Sequence, residues 1–273
     1  MARFVIVPQW QGSGAPRAML LVDGAQAIAG DLPRSACTFV DVPLEAGDAL
    51  DTGIHRFSAV SRTQRLISDA IGGGTEPVIV VGGDCSVSVA PIGAAARRHP
   101  GLAVVWIDAH GDLNTPASSP SGAFHGMPLR AVVGEGHAEL ALEPGLVTPD
   151  RVVHAGGRDL DAAEAQFLRE SGIRVVSAED LARPDALAEA VRATGAEHVY
   201  IHVDLDVLDP AAITGVSYPV PFGPSAAELV AAIKAVRAEA ALVGATVAEF
   251  APASPAAAVD DLGTILRIVG ALA

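Results

Sequence analysis

A chain of 273 residues, half of them hydrophobic, is long enough for one large α/β domain spanning residues 1–273, and no break in composition divides it. Its formal net charge is −14, Lys234 is its single lysine and no basic cluster occurs, which excludes a nucleic-acid partner held through phosphates. No run of about 20 apolar residues free of charge or Gly/Pro breaks offers a membrane span, and two cysteines, Cys37 and Cys85, give no disulfide framework, so a reducing, cytoplasmic setting is expected.

The elements follow in chain order. MARFVIVPQW is too short an apolar run for a signal segment and predicts a first strand over residues 4–7. A helix is expected over 16–28, opening on a proline that the first helical position tolerates. A strand from Cys37, a helix over 58–71, a strand over 78–81 and a helix over 86–98 come next. Strands from Leu102, Arg151 and Ile173 follow, with a helix over 162–171 before the last of them. A helix over 184–194 leads to a strand from His198, a helix over 225–236 to a strand from Leu242, and a helix over 258–271 ends the series. Ser58, Ser86 and Ser225 are the expected N-caps. The strands are nearly continuous apolar runs, the mark of strands covered on both faces. Their alternation with helices predicts a mostly parallel sheet between two helical layers, with right-handed crossovers. The irregular stretches 114–129 and 210–224 directly follow Asp-rich strand ends, where such sheets place ligands.

The chemistry concentrates at those ends. In WIDAHGDLNTP, Asp108, His110 and Asp112 are spaced i, i+2, i+4, so an extended segment carries all three on one face. In IHVDLDVLDP, Asp204 and Asp206 repeat the spacing after a second apolar strand, and buried acids on one face are costly unless paired or metal-bound. An Asp-rich turn capping a helix would account for the first motif alone. Together they supply four carboxylates and an imidazole, more than one catalytic zinc uses. That set suits two fairly hard cations, with Mn²⁺ the natural choice, and paired metals generate a nucleophile from water near neutral pH.

Other residues leave alternatives open. His202 shares the parity of Asp204 and reads as a satisfied core histidine before a residue supporting the site. Cys85, in VIVVGGDCSVS, is on composition an inert buried residue; as a thiolate at a helix start it could ligate metal. His125, in a Ser/Gly/Pro-rich loop, is either a surface residue or a proton donor to a leaving amine. Glu249 ends the strand ATVAEF and could bind a guanidinium or cap a turn. Asp159 and Asp161 in GGRDLDAAE suit a helix start.

Taken together, GGDCS, DAHGDLNTP, SGAFHG, DLDVLDP and AEF resemble the arginase/agmatinase (ureohydrolase) family in order and spacing, from about Val78 to Phe250. The resemblance implies a three-layer α/β/α fold with a mostly parallel sheet of about eight strands, two Mn²⁺ ions, a small guanidino substrate, and a homo-oligomer. It implies hydrolysis of the guanidinium C–N bond of L-arginine or a close derivative to urea and ornithine. By the same resemblance Asp108 and Asp204 bridge both metals, Asp112 and Cys85 bind one, and His110 and Asp206 bind the other. His125 is the proton shuttle and Glu249 orients the guanidinium. Asn114 and Ser121 match positions that hold a substrate α-carboxylate, and Asp161 the one that receives its α-amino group. Two departures stand out. Cys85 occupies the place of a metal-binding histidine and, being softer, favours Zn²⁺ or Fe²⁺. Ala123 stands where an asparagine contacts the carboxylate, which opens Nω-hydroxy-L-arginine, agmatine, guanidinobutyrate and formiminoglutamate as further substrates. A single-metal amide hydrolase and a non-catalytic binding protein are the readings outside this class.

Overall fold

The computed structural model describes residues 2–273. The elements run β1 (Arg3–Val7), α1 (Leu20–Gly30), β2 (Cys37–Phe39), α2 (Phe57–Ile71), β3 (Val78–Gly82), α3 (Val89–Arg98), β4 (Ala103–Ile107) and α4 (Pro128–Val132). They continue β5 (Val152–Ala155), α5 (Ala162–Ser171), β6 (Arg174–Val176), α6 (Pro184–Arg192), β7 (His198–Asp204), α7 (Ala226–Glu239), β8 (Ala241–Ala248) and α8 (Pro255–Leu272). All eight strands join one sheet in the order β2-β1-β3-β8-β7-β4-β5-β6, and every pairing is parallel.

Strand side chains alternate between the faces, and two apolar layers result. Val81, Ile107 and Ile201 pack with Ile28, Leu229 and Ile265 from α1, α7 and α8. Val104, Trp106 and Tyr200 pack with Val60, Ile92 and Leu129 from α2, α3 and α4. This is the expected three-layer α/β/α arrangement.

Helix starts differ from expectation where local chemistry decides them. Residues 15–20 form successive i→i+3 turns, Ala18 N donating to Ala15 O and Leu20 N to Arg17 O, so α1 begins at Leu20 rather than Pro16. Pro91 has no N–H to donate to residue 87. The turn Cys85–Ser88 is accordingly 3₁₀, capped by Asp84 rather than Ser86, and α3 begins only at Val89. Ser58 lies inside α2 and accepts from Asp48 N instead of capping. Ser225 does cap α7, in a reciprocal pair with Glu228. The five-residue α4 (Pro128–Val132) starts in the last two residues of the stretch 114–129 expected to be irregular and continues beyond it.

The strand order positions the site. β3 and β4 are not neighbours; β8 and β7 lie between them. Four adjacent central strands therefore end side by side, and their carboxyl ends deliver Cys85, Glu249, Asp204 and Asp206, and Asp108 to Asp112 to one place. The loops there are tightly apposed. A Cβ on Gly83 would lie 1.5 Å from Gln9 O, so only glycine lets the segment after β1 cross the end of β3.

Candidate active site

The Asp108–Asp112 turn is held by its own backbone and its neighbours. Asp108 is fully buried, accepts from His110 N at 2.7 Å, and takes a second bond from the Trp106 indole at 3.1 Å. Asp112 has a left-handed φ of +54°, a conformation disfavoured for a non-glycine residue. It swings the carboxylate back toward Asp108, and its Oδ2 is buried without a hydrogen-bond partner. Below the turn Glu164, also buried, accepts from Leu113 N at 3.1 Å and from Asp161 N at 2.9 Å, fastening α5 under it.

From β7, Asp204 accepts from Asp206 N at 2.8 Å, and Cys85 Sγ from the neighbouring loop stands 3.0 Å from Asp204 Oδ2. His110 Nδ1 lies 3.1 Å from Asp206 Oδ2 and 3.5 Å from Asp108 Oδ1. Glu249, at φ +66°, accepts from Cys85 N at 3.1 Å and lies 3.6 Å from His125 Nδ1; its Oε2 has no hydrogen-bond partner. Asp84 acts as a pin, accepting from Gln9 Nε2, Gly12 N and Ser86 N.

So many buried acids repel one another. Burial first, then neighbouring carboxylates, holds Asp112 and Asp204 well above the ordinary carboxylate range and pushes Asp206 up to about 6. Burial also raises Glu249, against the pull of His125. Burial opposes ionisation of Asp108 too, but His110 outweighs it and keeps Asp108 low. Burial lowers His110 less than the Asp108 and Asp206 carboxylates raise it. Cations relieve such crowding. Three donor groups, each with ligand atoms within 4.8 Å of one another, occur here: Cys85/Asp108/Asp112/His202, Cys85/Asp204/Glu249 and Asp108/His110/Asp206. With the unpartnered Asp112 Oδ2 among them, this donor set fits a pair of divalent metal ions.

A cleft of about 260 Å³ opens over the cluster, reaching His110, Asp112, Asp204 and Asp206. Asn114, Ser121, His125, Asp161 and Tyr218 also line it. Asn114 Nδ2 donates to Asp161 Oδ2 at 2.8 Å and its Oδ1 accepts from Ser118 at 2.8 Å, which fixes both side chains beside the cleft. Ser121 sits exposed at the rim, whereas Ala123 is buried.

The arginase family model matches residues 17–263. The chain belongs to the arginase family. It is 34% identical to the arginase of Bacillus caldovelox over 233 residues, 79% of this chain and 76% of that one. It is 36% identical over 200 residues to the N(omega)-hydroxy-L-arginine amidinohydrolase of Streptomyces lavendulae, 72% of this chain and 69% of that protein. Against the arginase of Staphylococcus aureus (strain MRSA252) it is 34% identical over 197 residues, 68% of this chain but only 63% of that relative's length. The arginase structure from Bacillus subtilis superposes with a TM-score of 0.83 at 27% identity, covering 100% of this chain and 98% of that one.

The same end of the sheet brings together Cys85, Asp108, His110, Asp112, Asp204, Asp206, His125 and Glu249, with Asn114, Ser121 and Asp161 lining the cleft beside them. It also draws in Tyr218, which no motif covered, and Arg158, which the stretch GGRDLDAAE contains but to which no role was given. Tyr218, on the loop after β7, places its ring 5.2 Å from that of His125 and 6.1 Å from that of His110. Arg158 holds the same loop, donating to Val220 O at 2.8 Å, Pro221 O at 2.9 Å and Asp206 O at 3.2 Å. An aromatic residue directly before the Pro-rich stretch from Pro219 offered a signal for Tyr218; Arg158 offered only its place beside Asp159.

Proposed function

We propose that this arginase-family member is a metal-dependent hydrolase cleaving the guanidinium C–N bond of L-arginine or a close derivative, releasing urea, or a substituted urea, and ornithine. The observation that carries it is the buried carboxylate cluster at one end of the cleft with His125 and Glu249 beside it. Asp108, Asp204, Asp112, His110, Asp206 and Cys85 would hold the metals, Mn²⁺ being the fitting ion for the oxygen-rich part of the set. A bound pair supplies an activated water and positive charge where the guanidinium carbon is attacked. Glu249 orients the cationic guanidinium. As water adds and the C–N bond to the side chain breaks, the departing amine needs a proton. Burial lowers the proton affinity of His125, but Glu249 more than compensates and raises it, which favours the protonated form that can give that proton. Asn114, Ser121 and Asp161 take the α-carboxylate and α-amino ends, a use that agmatine, lacking the carboxylate, would not fill. Residues 1–273 act as one domain in this reading, in a cytoplasmic setting that suits two free cysteines.

The test is urea release from L-arginine by purified protein preincubated with Mn²⁺. Turnover supports the reading; no urea from protein with metal bound overturns it for plain arginine. Nω-hydroxy-L-arginine is the second reading, supported by the buried Ala123, which offers no hydrogen bond to the carboxylate, and by the name of the Streptomyces lavendulae relative. Its lower guanidine pKa makes it the easier carbon to attack. Parallel rates on both substrates decide, and a preference for arginine eliminates the second reading. On whichever substrate is turned over, His125→Asn is expected to lower kcat about 10²–10⁴-fold, the usual contribution of a positioned acid, with KM little changed. Self-association is proposed on the resemblance; sedimentation velocity compares the particle with the 27.7 kDa chain.

A further inference from the structure

His202 has a use that a packed core histidine does not need. It is fully buried within β7. Its ring is fixed on three sides: Nδ1 lies 2.7 Å from Ser88 Oγ, one face stacks on Trp106 at 3.7 Å and 20°, and Nε2 points to Cys85 Sγ at 3.4 Å. In the tautomer whose Nδ1–H donates to Ser88 Oγ, the lone pair is on Nε2, facing Cys85 Sγ. A metal-binding histidine is typically oriented this way, its far nitrogen tied to a hydrogen-bond partner. The donor atoms of His202, Cys85, Asp108 and Asp112 all lie within 4.8 Å of one another. Independently, the buried Oδ2 of Asp112 has no partner in this cluster.

We propose that His202 is a metal ligand, forming with Cys85, Asp108 and Asp112 a sulfur–nitrogen–oxygen site that takes Zn²⁺, or another ion of similar softness, in preference to Mn²⁺. The inference rests on the metal-dependent reading above and deepens it. Thiolate and imidazole donors select Zn²⁺, while carboxylates suit Mn²⁺. The other half of the centre, with Asp204, Asp206 and His110, keeps the harder donors. The two halves then differ in metal preference, and the imidazole that Cys85 replaces is supplied instead by His202 from β7. Cys85 binds as thiolate, and its proton leaves to solvent as the ion enters.

Cobalt reads this directly. Chelator-treated protein titrated with Co²⁺ alone is expected to develop a near-ultraviolet thiolate-to-cobalt charge-transfer band, absent in Cys85→Ser. His202→Asn keeps an amide donor for Ser88 and removes the Nε2 donor. It is expected to weaken the site that gives the band by about 10- to 100-fold, while the second cobalt binds as before. In competition, Zn²⁺ displaces the cobalt that gives the band at concentrations where Mn²⁺ does not. A band with wild-type affinity in His202→Asn, or no band in folded wild-type protein carrying two cobalt ions, overturns the proposal. X-ray absorption of wild-type protein with one Zn²⁺ per chain needs no variant to fold: sulfur together with imidazole around zinc supports the site, and absence of either overturns it. Failure to release urea while the band persists counts against the proposed reaction only; normal urea release with unchanged cobalt affinity in His202→Asn counts against His202 only.

Discussion

Asp204→Asn is expected to lower urea release on the order of 10³-fold, the loss seen when a group stabilising the reacting centre is removed, and at the same time to make the metal-free protein more stable. The two effects have one cause. Asp204 is buried 3.0 Å from Cys85 Sγ. Burial, then repulsion from Asp206 and Asp108, makes its ionisation costly. Asparagine keeps an oxygen for the 2.8 Å bond from Asp206 N and removes the charge. Without metal the carboxyl must either carry a repelled charge or hold a proton that the unfolded chain would release, so its replacement should raise stability by about 1–2 kcal/mol, the scale of gains from relieving a strained functional site. Thermal melts in chelator and urea assays in Mn²⁺ read the two arms. A metal-free variant less stable than the parent would show that Asp204 is held by its neighbours rather than against them.

The second large effect is the dependence of stability on pH and metal. Between pH 6.5 and 8 the metal-free protein should lose stability as pH rises. His110 and His125 have folded proton affinities raised above their ordinary 6.5. The stability they contribute is complete below that value and is lost as pH climbs toward the folded one. Asp112 and Asp204, raised well above 3.8, act in the same sense, because the folded state keeps protons that the unfolded chain has given up. Below pH 6.5 the buried His202, lowered to about 3, works the other way, since unfolding lets it take a proton. The clean window is therefore above 6.5. Metal replaces those protons, so the rise in Tm on adding Mn²⁺ should be larger at pH 8 than at pH 6.5. An equal rise at both values would mean that the cluster binds metal without releasing protons.

Much of this was legible in sequence. The eight strands were, because buried parallel strands are nearly continuous apolar runs, and so were the acids at their ends, because a capping turn accounts for one i, i+2 set after such a run but not for the same spacing after two. What escaped depends on contacts between segments far apart in the chain. Glu164 reads as a first-turn acid suited to the dipole of α5, yet its carboxylate also closes the turn under Asp112. His202 reads as core, and only its geometry shows which nitrogen is tied to Ser88 and which is turned to Cys85. The left-handed backbone of Asp112 and Glu249 leaves no trace in sequence, since neither position is a glycine.

The placement of β7 and β8 between β3 and β4 has a consequence for how the molecule comes to exist. On the ribosome Cys85 and Asp112 emerge at the ends of strands that cannot pair with each other, and the two strands that join them are made only after both. No N-terminal fragment can close the sheet, and an interrupted chain presents open strand edges, the hazard that draws chaperones and proteases. The donor cluster is complete only once synthesis has passed Glu249, so the candidate centre cannot assemble on a chain that stops short of β8.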